Sequence, residues 1–188
     1  MNDLLGHDHT DLGELLSELF AALNAGDVEK SHARLDRFWA RLAVHIRAEH
    51  LHLFPAILRT IEAHPQGADG DAPSLTTAHS VIAQLRHDHD FFMHELVEAI
   101  KTLRALRANP DARNISRQLE DLRERVAAIS RRLAAHNELE ETQVYRWTDA
   151  LLAPAESADL AARVREELDN LPPRFTDADA NNPRLSNL

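Results

Sequence analysis

Apolar residues return every three or four positions along nearly the whole chain, the repeat expected of amphipathic helices. Leu5, His9, Leu12, Leu16, Leu19 and Leu23 make the first stripe and predict a helix from about Asp3 to Ala25. Gly26-Asp27 reads as a turn, with Asp27 placed to cap the next helix. That second helix, Val28 to Ala63, carries Leu35, Phe38, Leu42, His45, Glu49, His52 and Ala56. Pro55 lies inside it and lacks a backbone donor, which predicts a kink or an early stop between Leu51 and Pro55. Residues 64–74, HPQGADGDAPS, form the one long loop signal. A third helix, Leu75 to Ala108, runs along Ile82, Leu85, His89, Phe92, Leu96, Ile100 and Leu103. Asn109-Pro110 opens a fourth, with Leu119, Leu122, Val126, Ile129, Leu133, His136, Glu140 and Val144. A weaker fifth, Pro154 to Leu171, has Leu160, Val164 and Leu168, and the polar stretch 172–188 is expected to be irregular.

Four long stripes with short connections predict an all-α, up-down-up-down four-helix bundle over residues 1–150. Residues 151–188 then form a C-terminal helix and tail packed on it. The composition agrees, with only 5 glycines and 8 prolines in 188 residues. A 44% apolar content is enough for a sizeable core, and the net charge of −10 disfavours nucleic acid and anionic membrane surfaces as partners. No apolar run is long enough for a membrane span and no secretory signal opens the chain, so a cytoplasmic location is the expectation. The absence of cysteine removes thiolate nucleophiles, zinc-thiolate sites and iron–sulfur clusters, and leaves nitrogen and oxygen to hold any metal.

The anomaly is that histidine interrupts every core stripe, twice with a glutamate four residues on: His9, His45, Glu49, His89, His136 and Glu140. Buried carboxylates without partners cost several kcal/mol each (order of magnitude), so a compensating charge is implied. Residues four apart share a helix face, so each His/Glu pair can address one ion. His-x-x-x-Glu occurs three times, and register separates the three. His94 lies about 140° around the helix from His89, which turns His94 and Glu98 outward. Depth agrees with register: the chain halfway between His9 and His45 is Asp27, halfway from the first His/Glu pair to His89 falls within residues 66–70, and halfway from His89 to His136 falls just past Asp111. All three points lie in or beside predicted turns, so six side chains converge at one level.

The chain is also internally repeated: HDH at 7–9 recurs at 87–89, and His45-x-x-x-Glu49 with LHLFP echoes His136-x-x-x-Glu140 with ETQVY. A doubled set of two imidazoles and one carboxylate suits two ions bridged by the glutamates, with room for an oxo or hydroxo bridge and an open position. Imidazole and carboxylate suit iron, manganese or zinc, and an open octahedral pair favours iron or manganese. His7 and His87 sit about 200° off their stripes, and His32, His50, His64, His79 and His94 read as surface residues. His52 reads as supporting a ligand or lining a pocket rim, Asp8 and Asp88 as solvated carboxylates near helix starts in preference to supports for neighbouring imidazoles, and Tyr145 as packing in preference to an electron relay.

In this pattern residues 3 to 150 resemble the hemerythrin-like family, the HHE cation-binding domain, whose motif is H…H-x-x-x-E…H…H-x-x-x-E on a four-helix bundle. Leu53-Phe54-Pro55 is a frequent companion of that motif. The resemblance implies a non-haem di-iron centre, with His9, His45, His89 and His136 as terminal ligands and Glu49 and Glu140 as bridges. Oxygen-carrying members have a fifth histidine, whereas His89 here has Met93 at i+4, which points away from reversible oxygen carriage. Members that repair iron–sulfur clusters carry an N-terminal cysteine segment, and this chain has no cysteine. The resulting expectation is a centre that binds or reduces dioxygen, peroxide or nitric oxide, with Leu42, Leu85, Phe92 and Leu133 excluding water. The alternative is a regulatory or interaction module in which metal occupancy controls partner docking without redox turnover.

Overall fold

The structure, a computed structural model, describes residues 1–63, 72–109 and 114–175, with Asn2 described by its backbone alone. Among these residues all regular structure is helical. The α-helices are α1 (Asn2–Asn24), α2 (Val28–Ala48), α3 (Phe54–Ala63), α4 (Leu75–Ala108), α5 (Ile115–Leu139), α6 (Tyr145–Leu151) and α7 (Pro154–Asp169). A short 3-10 turn lies at Pro173–Phe175. The expected loop at 64–74, the turn after Asn109 and the tail beyond Phe175 fall largely outside the described residues.

The starts of these helices follow from local chemistry. Gly26 takes φ +71, a left-handed conformation that closes α1 without a Cβ penalty. Asp27 then accepts the Lys30 N–H at 2.9 Å and caps α2. Ser74 caps α4 in the same way, accepting the Thr77 N–H at 3.1 Å. Pro154 opens α7, where the Glu156 carboxylate accepts the Ala153 N–H at 3.0 Å.

The expected break at Pro55 is instead a π-helical turn at Glu49–Leu53, through which α2 passes into α3. A second π turn, Glu140–Val144, joins α5 to α6 and contains no proline. Proline is therefore not what the two turns share; each begins on the glutamate of a His-x-x-x-Glu pair. In each, the N–H five residues on, that of Phe54 or Tyr145, bonds to the glutamate's own carbonyl. The fourth predicted helix accordingly continues to Leu151.

Contacts run from α1 to α2, α2 to α4, α4 to α5 and α5 back to α1. α7 buries Leu160, Val164 and Leu168 and packs on α2 and the first π turn. Two apolar clusters fill the interior. One includes Leu12, Leu42, Phe92 and Leu133; the other includes Leu5, Ala48, Leu85 and Val144. His9, His45, His89 and His136 each fall, along their own helix, between a member of one cluster and a member of the other. The histidines thus occupy a single polar layer, and the order of the two clusters reverses from each of these helices to the next. No helix among the described residues is long and apolar enough to cross a membrane.

Candidate metal centre

All six predicted site residues are buried within that layer, and both glutamates have no exposed surface. Each carboxylate spans the layer. Glu49 Oε1 lies 3.5 Å from His45 Nε2, while its Oε2 lies 3.3 Å from His89 Nε2. Glu140 Oε1 lies 3.2 Å from His136 Nε2, while its Oε2 lies 3.3 Å from His9 Nε2. The imidazoles of His89 and His136 approach to 3.1 Å between their Nε2 atoms.

Glu49, His89, His136 and Glu140 offer donor atoms that all lie within 4.8 Å of one another, and so do His9, His45 and Glu140. Glu49 Oε2 and Glu140 Oε1 are buried and accept no hydrogen bond. A buried carboxylate oxygen without a donor is costly, and because both of these oxygens face the His89–His136 half, a cation held there would satisfy both. Imidazole and carboxylate donors fit a first-row divalent metal.

Residues 1–148 match the family model described as the hemerythrin HHE cation-binding domain. The chain belongs to this family. Neither the curated proteins nor the solved structures compared with it include a match. The matched region ends three residues before α6 does, and α7 lies beyond it.

The surroundings of this candidate centre in the hemerythrin domain correct the sequence reading at four places. Asp8 and Asp88, expected to be solvated, are 1% and 6% exposed. Asp8 Oδ2 accepts from His45 Nδ1 at 2.7 Å, and its Oδ1 is held by Arg41. Asp88 Oδ2 lies 3.4 Å from His136 Nδ1, and its Oδ1 takes bonds from Arg132 at 2.7 Å and Gln84 at 3.1 Å. Each HDH aspartate therefore orients the histidine of the His-x-x-x-Glu pair in its own repeat, while the adjacent histidine enters the layer. His50, expected at the surface, is half-buried and shares a hydrogen bond with His89 Nδ1 at 2.8 Å. Glu141 does the same for His9 Nδ1 at 2.7 Å. All four Nδ1 atoms are thus partnered, which leaves the Nε2 atoms facing inward.

Tyr145, expected to pack in preference to serving the centre, aims its Oη at it, 3.1 Å from His9 Nε2, 3.3 Å from Glu140 Oε2 and 3.5 Å from Glu49 Oε1. Its ring stacks on His9 as Phe54 stacks on His89. Each aromatic is the fifth residue past its glutamate, a position about 140° away in an ordinary α-helix. Only the π turns bring them here, and nothing in the α-helical pattern announces those turns. His52 is not at the centre; it borders a cleft with α7 residues Arg163 and Glu167. His7, His79, His87 and His94 are exposed as expected, and His64 lies outside the described residues.

The charges explain the protonation of the metal-free residues. Burial alone would lower the His45 pKa, but Glu49 and Asp8 hold it well above the ordinary histidine value. Burial likewise opposes a raised pKa at His136, where Glu140 prevails. Burial would raise the Glu49 pKa, yet His45 and His89 keep it well below the usual carboxylate range. Burial, with Glu140 and Glu49 close by, raises the Tyr145 phenol well above its ordinary value. At His50, burial and the neighbouring His89 and Arg86 lower the pKa.

Proposed function

We propose that the chain is a non-haem di-iron protein whose centre binds or reduces a small ligand: dioxygen, peroxide or nitric oxide. His9, His45, His89 and His136 would hold the ions terminally, and Glu49 and Glu140 would bridge them. The observation that carries this reading is the pair of buried carboxylates, each with one oxygen toward either half of the layer and each with an oxygen that accepts no hydrogen bond. When bound, a ferrous pair would supply electrons and an open coordination position.

The protein's own contribution is orientation and dryness. Asp8, Glu141, His50 and Asp88 fix the ring orientations. Leu42, Leu85, Phe92 and Leu133, all buried, wall the layer against bulk water. Tyr145 places a phenolic proton beside the His9 half. The proposed architecture is an up-down-up-down bundle over residues 1–150 with α7 added outside it, supported by the reversal of apolar clusters along successive helices.

The deciding experiment is anaerobic ferrous loading of the purified chain and then elemental analysis. Two irons per chain are expected; an iron-free chain, or one that retains only zinc, overturns the reading. A second reading, metal-controlled docking of a partner, is favoured by Arg41, which joins Asp8 to the Leu168 carbonyl of α7 at 3.0 Å. It would gain support if chelation loosened α7 in hydrogen exchange while α4 stayed protected.

A further inference from the structure

The two repeats supply the same ligands but not the same supports. In the His9–His45 half both Nδ1 atoms meet a carboxylate oxygen at 2.7 Å, from Glu141 and from Asp8. In the His89–His136 half the carboxylate of Asp88 lies 3.4 Å from His136, and His89 bonds to the imidazole of His50. Glu141 and His50 are equivalent positions, each directly after a glutamate of the layer. A carboxylate behind a ligating imidazole raises its basicity and fixes its orientation, and loss of such a partner typically costs about 10–100-fold in metal affinity.

We propose that the two cation positions are inequivalent and fill in order, the His9–His45 half first, because Glu141 and Asp8 back its imidazoles where the opposite half has His50 and a distant Asp88. Glu141 and His50 are positioning residues that set the difference between the two affinities. The inference rests on the two-ion reading above.

The test is stepwise titration of the full, chelator-treated chain with Zn²⁺, read by calorimetry and by the ¹³C signal of the single tyrosine, Tyr145. Its hydroxyl lies 3.1 Å from His9 Nε2 and so reports the first-filling half. Two binding steps separated by about tenfold or more are expected, with the tyrosine signal moving during the first equivalent. Glu141→Gln should weaken the first step by about tenfold and narrow the gap, while Glu141→Asp should restore part of it. His50→Glu should strengthen the second step and narrow the gap from the other side. Two equal steps in the wild-type chain, or a tyrosine that responds only to the second equivalent, overturn the ordering while leaving the two-ion reading intact. Glu141→Gln and His50→Glu chains that both keep the wild-type gap overturn the assigned roles. A chain that takes up no metal overturns both inferences together.

Discussion

The His9–His45 and His89–His136 halves of the centre share one pattern, HDH and then His-x-x-x-Glu, and both reproduce its aspartate-to-histidine bond. They part company one residue and five residues past the glutamate. The repeat with Glu140 has Glu141 and Tyr145 at those positions, and both meet His9; the repeat with Glu49 has His50 and Phe54, and both meet His89. The His9–His45 half therefore gains an acidic support and a hydroxyl pointed at its ligands, while the His89–His136 half gains a third imidazole and an aromatic ring with no polar atom. The difference teaches that the ligands of a repeated site can stay fixed while the next layer outward sets each half its own chemistry.

The strongest way to break the comparison is to remove the carboxylates. Glu140 offers an oxygen to both donor groups, whereas Glu49 completes only the one with His89 and His136. Glu140→Ala should lose both ions in elemental analysis, and Glu49→Ala should retain part of one. Equal losses would show that both glutamates serve the halves alike.

Next in size are the aspartates. Asp8→Asn should reduce metal affinity by about 10–100-fold, and Asp88→Asn by less, since its bond to His136 is longer. Competition against a chelator of known affinity measures both, and a larger effect at Asp88 would reverse the order.

A smaller effect concerns pH in the chelated chain. The raised His45 pKa contributes stability that is full below the ordinary histidine value of about 6.5 and fades as pH rises through its folded-state value. The depressed Glu49 pKa contributes stability present above the usual carboxylate range and lost as pH falls through its own folded value. Thermal melts should therefore show a maximum between these limits. His45→Gln should flatten the alkaline limb, because it removes the group whose raised pKa makes stability fade there.

The smallest expected effect is that of Pro55→Ala. The second π turn forms without proline, so the first should persist, with stability changed by less than about 1 kcal/mol in denaturant titration. A change in metal content in this variant would make Pro55 part of what shapes its half.

Much of this is legible in the chain. The stripes place the helices to within a few residues, because the apolar period of a helix is imprinted directly on sequence. The six buried positions are legible because polar residues on a core stripe demand a reason. For Asp8 and Asp88 such reasoning ranks the supporting role second, since an aspartate one residue from a stripe looks solvated on its own helix. Each is buried by a neighbouring helix and paired with a histidine far along the chain. Tyr145 and Phe54 are hidden by the π turns, which add a residue to the helical phase just where the arithmetic assumes a constant 100°.

The placement of the polar layer between two apolar clusters has a mechanical consequence. Hydrophobic cohesion is continuous on either side but interrupted at this plane, where six ionisable groups replace side chains that would otherwise interlock. Without cations this plane would be the seam along which partial opening begins. The ions would act as rivets, making one cooperative body out of two stacked ones.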